Sequence, residues 1–276
     1  MSAVMKYSII IVTHNSAGEL PGCLGSIVDS SPDSGYEVVI VDNASTDDSE
    51  QIFSALEGDV TVIKNRYNSG YARAVNQGIS AAKGDYLVFL NPDTQVTPGW
   101  LEKMSRHLLK NGTGAVGPLS NYVAGLQKFE LYCRPGDSES PEEINLRLER
   151  LHRGRSVETK LLIGFCLMIH RKTIDEFGNF DDDLILGSED LEYSHRLTSA
   201  GKELAVALDT FIYHKGHTSY RGESESERWN NLAGCILNRK LERRAGDYSQ
   251  KKIWGIDWFD PKLNSSRDQV SIVIPT

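Results

Sequence analysis

Three short runs of continuous apolar residues stand out along the chain: Tyr7 to Val12 (YSIIIV), Val38 to Val41 (VVIV) and Tyr86 to Leu90 (YLVFL). A strand with one wet face alternates apolar and polar residues, and these do not, so they predict central strands of a sheet buried on both sides. Between them apolar residues recur at helical spacing: Leu20, Leu24, Ile27 and Val28; then Ile52, Phe53 and Leu56; then Ala72, Val75, Ile79 and Ala82. Strand alternating with helix implies a parallel sheet with right-handed crossovers. Ligands of such sheets sit beyond the carboxyl ends of the strands. The positions to inspect are therefore Thr13 to Asn15, Asp42 and Asn43, and Asn91 to Asp93.

From Gly112 to Lys160 the pattern gives way to Gly, Pro, Ser and charges, with one helix expected from Pro141 to His152. Irregular stretches of that length inside compact domains usually serve function. A second ordered block follows: a strand from Leu161 to Ile169, a helix from Ser188 to Ala200, strands at Leu204 to Leu208 and Phe211 to Tyr213, and a polar helix from about Ser224 to Arg244. The final VSIVIPT (Val270 to Thr276) repeats the form of YSIIIVT (Tyr7 to Thr13). The expectation is a main domain over residues 1–250, with a linker and the first strand of a second, truncated copy in 251–276.

Charge and cysteine content narrow the classes. The 38 acidic residues outnumber the 30 Lys plus Arg, for a net charge of -8, which is no nucleic-acid binder's balance. Cys23, Cys133, Cys166 and Cys235 include no C-x-x-C pair, so neither a zinc ribbon nor a disulfide framework is indicated. The first residues lack the basic start, apolar core and cleavage site of a secretory signal. The run Leu161 to Ile169 is about half of the roughly 20 residues needed to span a bilayer. A cytoplasmic location is expected, with peripheral attachment at the inner face of the cell membrane as the alternative.

Familiar motifs are missing. There is no G-x-x-x-x-G-K-[ST], and the first strand leads to THNSAG rather than G-x-G-x-x-G. The run Asp42 to Phe53 lacks the Gly and Glu of an EF-hand, and neither H-E-x-x-H nor G-x-S-x-G occurs.

Four features remain at the ligand side of the expected sheet. Asp42 ends a buried strand too early to cap the next helix, whereas Thr46 to Ser49 suit that capping duty. A carboxylate at Asp42 can accept the N–H of a pyrimidine base. Next, NSGYARAVN (Asn68 to Asn76) opens a helix, with Arg73 and Asn76 three apart on one face. A cation near a helix N-terminus is disfavoured by the dipole and asks for an anionic partner. Then comes Leu90-Asn91-Pro92-Asp93-Thr94, where Pro92 ends the strand and leaves Asp93 at the sheet edge. A turn carboxylate is the bland reading; a ligand for Mg²⁺ or Mn²⁺ shared with phosphate oxygens is the sharper one. The last is Gly187-Ser188-Glu189-Asp190, with Tyr213-His214-Lys215-Gly216-His217 downstream. Acidic residues stabilise a helix's first turn without any catalytic duty, yet together with Asp93 they can supply a base and a further metal ligand.

In order and spacing, YSIIIVTHN, VVIVDNASTDDS, NSGYARAVNQGI, GDYLVFLNPDT and GSEDLEYSHRL resemble the family 2 glycosyltransferases over about residues 6 to 218. The match is closest to rhamnosyltransferase-like bacterial members that build cell-surface polysaccharides. The resemblance implies the α/β GT-A fold: a Rossmann-like, mostly parallel sheet flanked by helices, with a nucleotide-sugar half over 6–111 and a smaller acceptor half over 112–220. It implies a nucleoside-diphosphate sugar donor (UDP- or dTDP-linked), a glycan or lipid-linked glycan acceptor, no nucleic acid, and a second glycosyltransferase domain in the parent chain. It assigns Thr13, Asn15 and Asp42 to the base and ribose, and Arg73 and Asn76 to the base or diphosphate. Asp93 matches the last carboxylate of the family's Asp-x-Asp, and Asn91 replaces the first. His214, with His217 behind it, matches a histidine that completes the metal shell in some relatives. Asp190, paired with Glu189, matches the catalytic base of an inverting displacement. A sugar nucleotidyltransferase and a catalytically silent nucleotide-sugar-binding module are the rival readings. THNSAG lacks the basic Gly-rich loop of the first, and the intact Glu-Asp pair argues against the second. Acceptor contacts are expected within 112–160, with Asn121, Gln127 and Tyr132 as candidates.

Overall fold

The computed structural model describes residues 6–31, 35–184 and 187–216. The expected helix at 224–244, the repeat at 270–276 and His217 lie outside the described residues. In chain order the elements are β1 (Tyr7–Thr13), α1 (Leu20–Ser30), β2 (Tyr36–Asp42), α2 (Ser49–Ser54), β3 (Val60–Lys64), α3 (Tyr71–Ala81), β4 (Tyr86–Leu90), β5 (Thr94–Gln95) and α4 (Trp100–Leu108). There follow β6 (Thr113–Leu119), two single-turn 3₁₀ segments, α5 (Pro141–His152), β7 (Ser156–Thr159), β8 (Cys166–His170), α6 (Arg171–Phe177), α7 (Glu189–Ser199), β9 (Glu203–Phe211) and β10 (Tyr213–His214).

Eight strands form one sheet in the order β3-β2-β1-β4-β8-β6-β9-β7, while β5 and β10 make a separate ribbon. Strands β3, β2, β1 and β4 run parallel. β8 opposes both β4 and β6, β9 runs with β6, and β7 opposes β9, so the sheet is mostly parallel as expected. Alternation along each strand sorts the core onto two faces. Ile10, Val12, Val39, Val41, Leu87 and Phe89 pack with Ala72, Val75 and Ile79 of α3. Ile9, Ile11, Val38, Ile40, Val88 and Leu90 pack with Leu20 and Ile27 of α1 and with Trp100 and Met104 of α4. α3 lies so close to the sheet that a Cβ on Gly78 would meet Ile10 Cγ2 at 2.4 Å.

Three expectations need correction. The stretch 112–160 contains β6, a strand buried between β8 and β9, which TGAVGPL conceals because its Gly and Pro depress strand propensity. Gly117 is required there: a Cβ would meet Gln127 Nε2 at 2.6 Å and Leu162 Cδ2 at 3.0 Å. The strand expected from Leu161 begins only at Cys166. Side chains take the amides before it, Leu162 N–H going to Ser194 Oγ (3.2 Å), Ile163 N–H to Gln127 Oε1 (2.7 Å) and Gly164 N–H to Asp190 Oδ2 (2.8 Å). Lastly, the strand expected at 204–208 runs on to Phe211 as β9, through a register shift against β6 near Pro118 and Leu119, and Tyr213 opens β10 in the separate ribbon. Among the described residues no helix is long and apolar enough to cross a membrane.

Candidate active site

Parallel pairing in register sets Thr13 opposite Asp42 at the carboxyl ends of β1 and β2. Both are buried, and Thr13 Oγ1 has no hydrogen-bond partner. An orphaned buried hydroxyl is costly in a finished fold and marks a place where something else completes the bonding. Asp42 Oδ1 accepts from Ser45 N–H at 3.1 Å, which turns the chain away from the strand end. Asn15 sits in left-handed backbone, φ 53°, a conformation that asparagine tolerates better than most residues. Its Oδ1 accepts from Thr46 N–H at 2.7 Å, and its own N–H donates to Ser45 Oγ at 2.9 Å. Asn15 thus welds the loop after β1 to the loop after β2. Asp47, expected as a helix cap, accepts from Ser49 N–H (3.2 Å) and also from Ala17 N–H (2.9 Å), a second weld between the same loops.

Asn43, buried directly after Asp42, is the hub of this rim. Its Nδ2 donates to Asn68 Oδ1 (2.7 Å) and Gly70 O (3.2 Å), and its Oδ1 accepts from Asn65 Nδ2 (3.1 Å) and Ser69 N–H (3.0 Å). The NSG turn that opens α3 is therefore held by one amide at the end of β2. Nothing in the apolar periodicity marks it. The only signal is a small polar residue immediately after a fully apolar strand.

Arg73 and Asn76, which the resemblance assigns to the base or diphosphate, both reach the turn before α7. Asn76 is spent on the turn before α7: Nδ2 donates to Phe180 O (2.8 Å) and Asp182 Oδ1 (2.6 Å), and Oδ1 accepts from Phe180 N–H (3.1 Å). Arg73, an exposed residue, donates from Nε to Asp182 O at 3.2 Å. A polar residue on α3 close to another loop gains more from that loop's unpaired backbone groups than from open solvent. The two residues position the chain that leads into Glu189.

The ribbon supplies the next pair. β5 and β10 set His214 opposite Thr94, and His214 Nε2 lies 3.3 Å from Asp93 Oδ1. His214 Nδ1 is 2.8 Å from Tyr122 O. A carbonyl only accepts, so Nδ1 carries a proton and Nε2 is the nitrogen turned towards the carboxylate. Asn121 fixes the backbone beneath, donating from Nδ2 to His214 O (3.0 Å) and accepting from His214 N–H (2.9 Å). Phe165 stacks on the imidazole with centroids 5.1 Å apart. An imidazole nitrogen and a carboxylate oxygen at this separation suit a shared divalent cation, with the carbonyl as the outer partner that orients the ring. Among the described residues no group of three His, Cys, Asp or Glu converges. Two protein ligands suit Mg²⁺ or Mn²⁺ sites completed by water and phosphate oxygens. Asn91 stands half-buried beside Asp93, its N–H bonded to Phe165 O at 2.9 Å.

Phe165 and Gly164 carry the link to the second carboxylate pair. Asp190 Oδ2 accepts from Gly164 N–H (2.8 Å) and Oδ1 from Leu191 N–H (2.8 Å). Consecutive residues thus touch His214 through a ring and Asp190 through an amide. β8 runs antiparallel to β4, which puts its first residue, Cys166, opposite Leu90 and so brings this bridge to the rim that holds Asp93. Burial raises the Asp190 carboxyl above its ordinary value against the pull of those amides. Burial, then the neighbouring Asp190 charge, pushes Glu189 up to about 8, and its Oε2 has no partner. Both carboxyls are thus held above the usual carboxylate range, Glu189 by burial and the Asp190 charge together.

A stability test follows with its sign. A carboxyl whose folded pKa is raised binds its proton more tightly when folded, so stability declines as pH rises from the ordinary glutamate value towards about 8. Glu189→Gln is expected to melt above the parent at pH 8.5, by a few degrees, and to match it near pH 5. Melting curves followed by circular dichroism across that range check this; a pH-independent difference would refute the buried, protonated Glu189.

Of the acceptor candidates, Asn121 holds His214 and Gln127 is buried, bonded to Ile163 N–H and Pro118 O. Gln127 is thus a brace for the Gly164 bridge and faces neither water nor a sugar. The Tyr132 hydroxyl is buried without a partner, and burial pushes it up to about 12.

Residues 8–178 match the family model described as Glycosyl transferase family 2. The polypeptide N-acetylgalactosaminyltransferase 13 of Rattus norvegicus is 28% identical over 228 residues, which covers 75% of this chain and 41% of that protein. The chain thus spans about two fifths of that relative's length. The N-acetylglucosaminyl-diphospho-decaprenol L-rhamnosyltransferase of Mycobacterium tuberculosis is 25% identical over 239 residues, covering 77% of each chain. The mannosyltransferase PcManGT of Pyrobaculum calidifontis, solved with GDP-Man and Mn²⁺, superposes with a TM-score of 0.63 at 18% identity, over 90% of this chain and 67% of that one. That likeness bears on the fold, which is GT-A.

Proposed function

Because the chain belongs to glycosyl transferase family 2, we propose that it moves a sugar from a nucleoside-diphosphate sugar to a hydroxyl of a glycan or glycolipid acceptor, with inversion and with a divalent cation. The observation that carries this reading is the Gly164-Phe165 bridge, which brings the Asp93–His214 pair and the Glu189–Asp190 pair to one rim. Thr13 and Asp42 offer the base and ribose an unpaired hydroxyl and a carboxylate at the ends of β1 and β2. Asn15 and Asn43 keep the loops around them in place. Asp93 and His214 would hold Mg²⁺ or Mn²⁺, whose charge offsets that developing on the leaving diphosphate. Asp190 accepts the proton of the acceptor hydroxyl as its oxygen attacks the anomeric carbon opposite the leaving group. Its raised basicity favours that transfer, and the Gly164 and Leu191 amides fix its direction. Glu189, already protonated, adds no second negative charge beside it. A role in surface-polysaccharide synthesis, with the enzyme at the inner face of the membrane, fits the mycobacterial relative's lipid-linked acceptor.

The test is to incubate the chain with UDP-, dTDP- and GDP-sugars and Mn²⁺ and to measure free nucleotide with and without glycan acceptors. Acceptor-stimulated nucleotide release is the expected result. Pyrophosphate exchange instead would favour a nucleotidyltransferase, and binding without release a silent module.

A further inference from the structure

Behind the β5–β10 ribbon lies a cavity of about 460 Å³, within the usual range for small-molecule sites. Alternation places it: Tyr213 and its cross-strand partner Gln95 line the cavity, while the next residue, His214, turns its ring to Asp93 and Phe165. Phe129 and Phe211 form an aromatic floor, packed edge to face at 5.4 Å. Asn121 and Glu139 supply the remaining polar wall. Asn121 Oδ1 accepts from His214 N–H and Ser120 Oγ–H, and Nδ2 spends one of its two N–H groups on His214 O, which leaves the other N–H for a ligand. Glu139 Oε2 takes Gly136 N–H at 2.6 Å and pairs with Arg147 at 2.7 Å, which leaves Oε1 for another donor.

Among the described lining residues there is no Lys, Arg or His, and the one charge is negative. That charge is answered by Arg147, so the lining offers a phosphate or diphosphate no free cation, and this is no second nucleotide site. An aromatic floor beneath amide and carboxylate groups suits a ring with an apolar C–H face and a hydroxyl edge. We propose that this cavity binds a neutral saccharide unit, held apart from the reacting centre by the thickness of the ribbon and joined to it through Asn121. The proposal rests on the transferase reading for its biological sense but not for its test. Its occupant is either a remote sugar of the acceptor chain or a free saccharide.

Saturation-transfer NMR on the full chain, without donor, using lactose, maltose, cellobiose and chitobiose, with glucose 6-phosphate as the charged control, decides it. At least one neutral disaccharide is expected to show transfer, reduced severalfold in Gln95→Ala, an exposed position, and in Tyr213→Ala. Absence of transfer from all four, equal transfer from glucose 6-phosphate, or transfer unchanged in both variants would overturn the site. If the bound disaccharide slows nucleotide release to an oligosaccharide acceptor competitively, the site belongs to the acceptor chain; if it alters the rate without competing, it takes free saccharide. Nucleotide release measured on the parent chain separates the two ideas: no release, with saccharide binding intact, refutes the transferase and leaves the cavity standing.

Discussion

Asp190→Asn is expected to lose about 10²- to 10⁴-fold in the rate of sugar transfer while its affinity for the nucleotide sugar stays at the parental level. The substitution preserves shape and removes only the capacity to take a proton. It also turns one acceptor into an NH₂ group that faces either the Gly164 or the Leu191 N–H, and the lost bond costs about 1 to 3 kcal/mol of stability. Calorimetric donor titration on the folded variant therefore accompanies the rate measurement. Glu189→Gln provides the contrast. Glu189 is already uncharged near neutral pH, so its amide isostere keeps most of the rate. A variant of Asp190 that transfers at full speed, or a collapse confined to Glu189→Gln, would move the base to the other carboxylate.

The roles of these two adjacent acids are separated by something the sequence does not display. Glu189 and Asp190 read as an acidic pair in a helix's first turn, and which one keeps its charge depends on the Gly164 amide, which comes from another element altogether. The same segment explains why the apolar run Leu161 to Ile169 is only half a strand. Periodicity reports burial, and it does not report whether a buried N–H is paired with a neighbouring strand or with the side chains of Ser194, Gln127 and Asp190. The continuous apolar strands β1, β2 and β4 were legible because nothing competes for their ladders, whereas β3 (VTVIK), with no fully buried residue, was not. β6 was hidden because close packing demanded glycine where propensity favours branched residues. At the rim, Asp42, Asp93 and Asp190 could be picked out as carboxylates beyond strand ends or opening a helix. The bracing roles of Asn43, Asn121 and the Tyr122 carbonyl could not be read, because they lie in partners 25 to 93 residues away.

Asp93→Ala is expected to weaken nucleotide-sugar binding in Mn²⁺ by about 10²-fold, close to 3 kcal/mol, and to bring it to the level of the parent protein in EDTA. The reasoning starts at Tyr122. Its carbonyl fixes a His214 proton on Nδ1, so Nε2 is the nitrogen that confronts the Asp93 carboxylate, 3.3 Å away. That arrangement is repulsive unless a proton or a cation lies between them, and a diphosphate beside it supplies further oxygen ligands for the cation and none for the proton. Removing Asp93 leaves His214 as a single neutral donor on a ribbon still held by Asn121, so the fold persists and the metal-dependent part of the affinity goes. His214→Ala removes one neutral ligand and leaves the charge, and the smaller loss expected of it, roughly 10-fold, ranks the two. Titration of UDP- and dTDP-sugars into parent and variants, each with Mn²⁺ and with EDTA, measures all of these at once. If Asp93→Ala binds donor as tightly as the parent in Mn²⁺, or if EDTA leaves the parent unchanged, the carboxylate and the imidazole are facing each other for some purpose other than a metal.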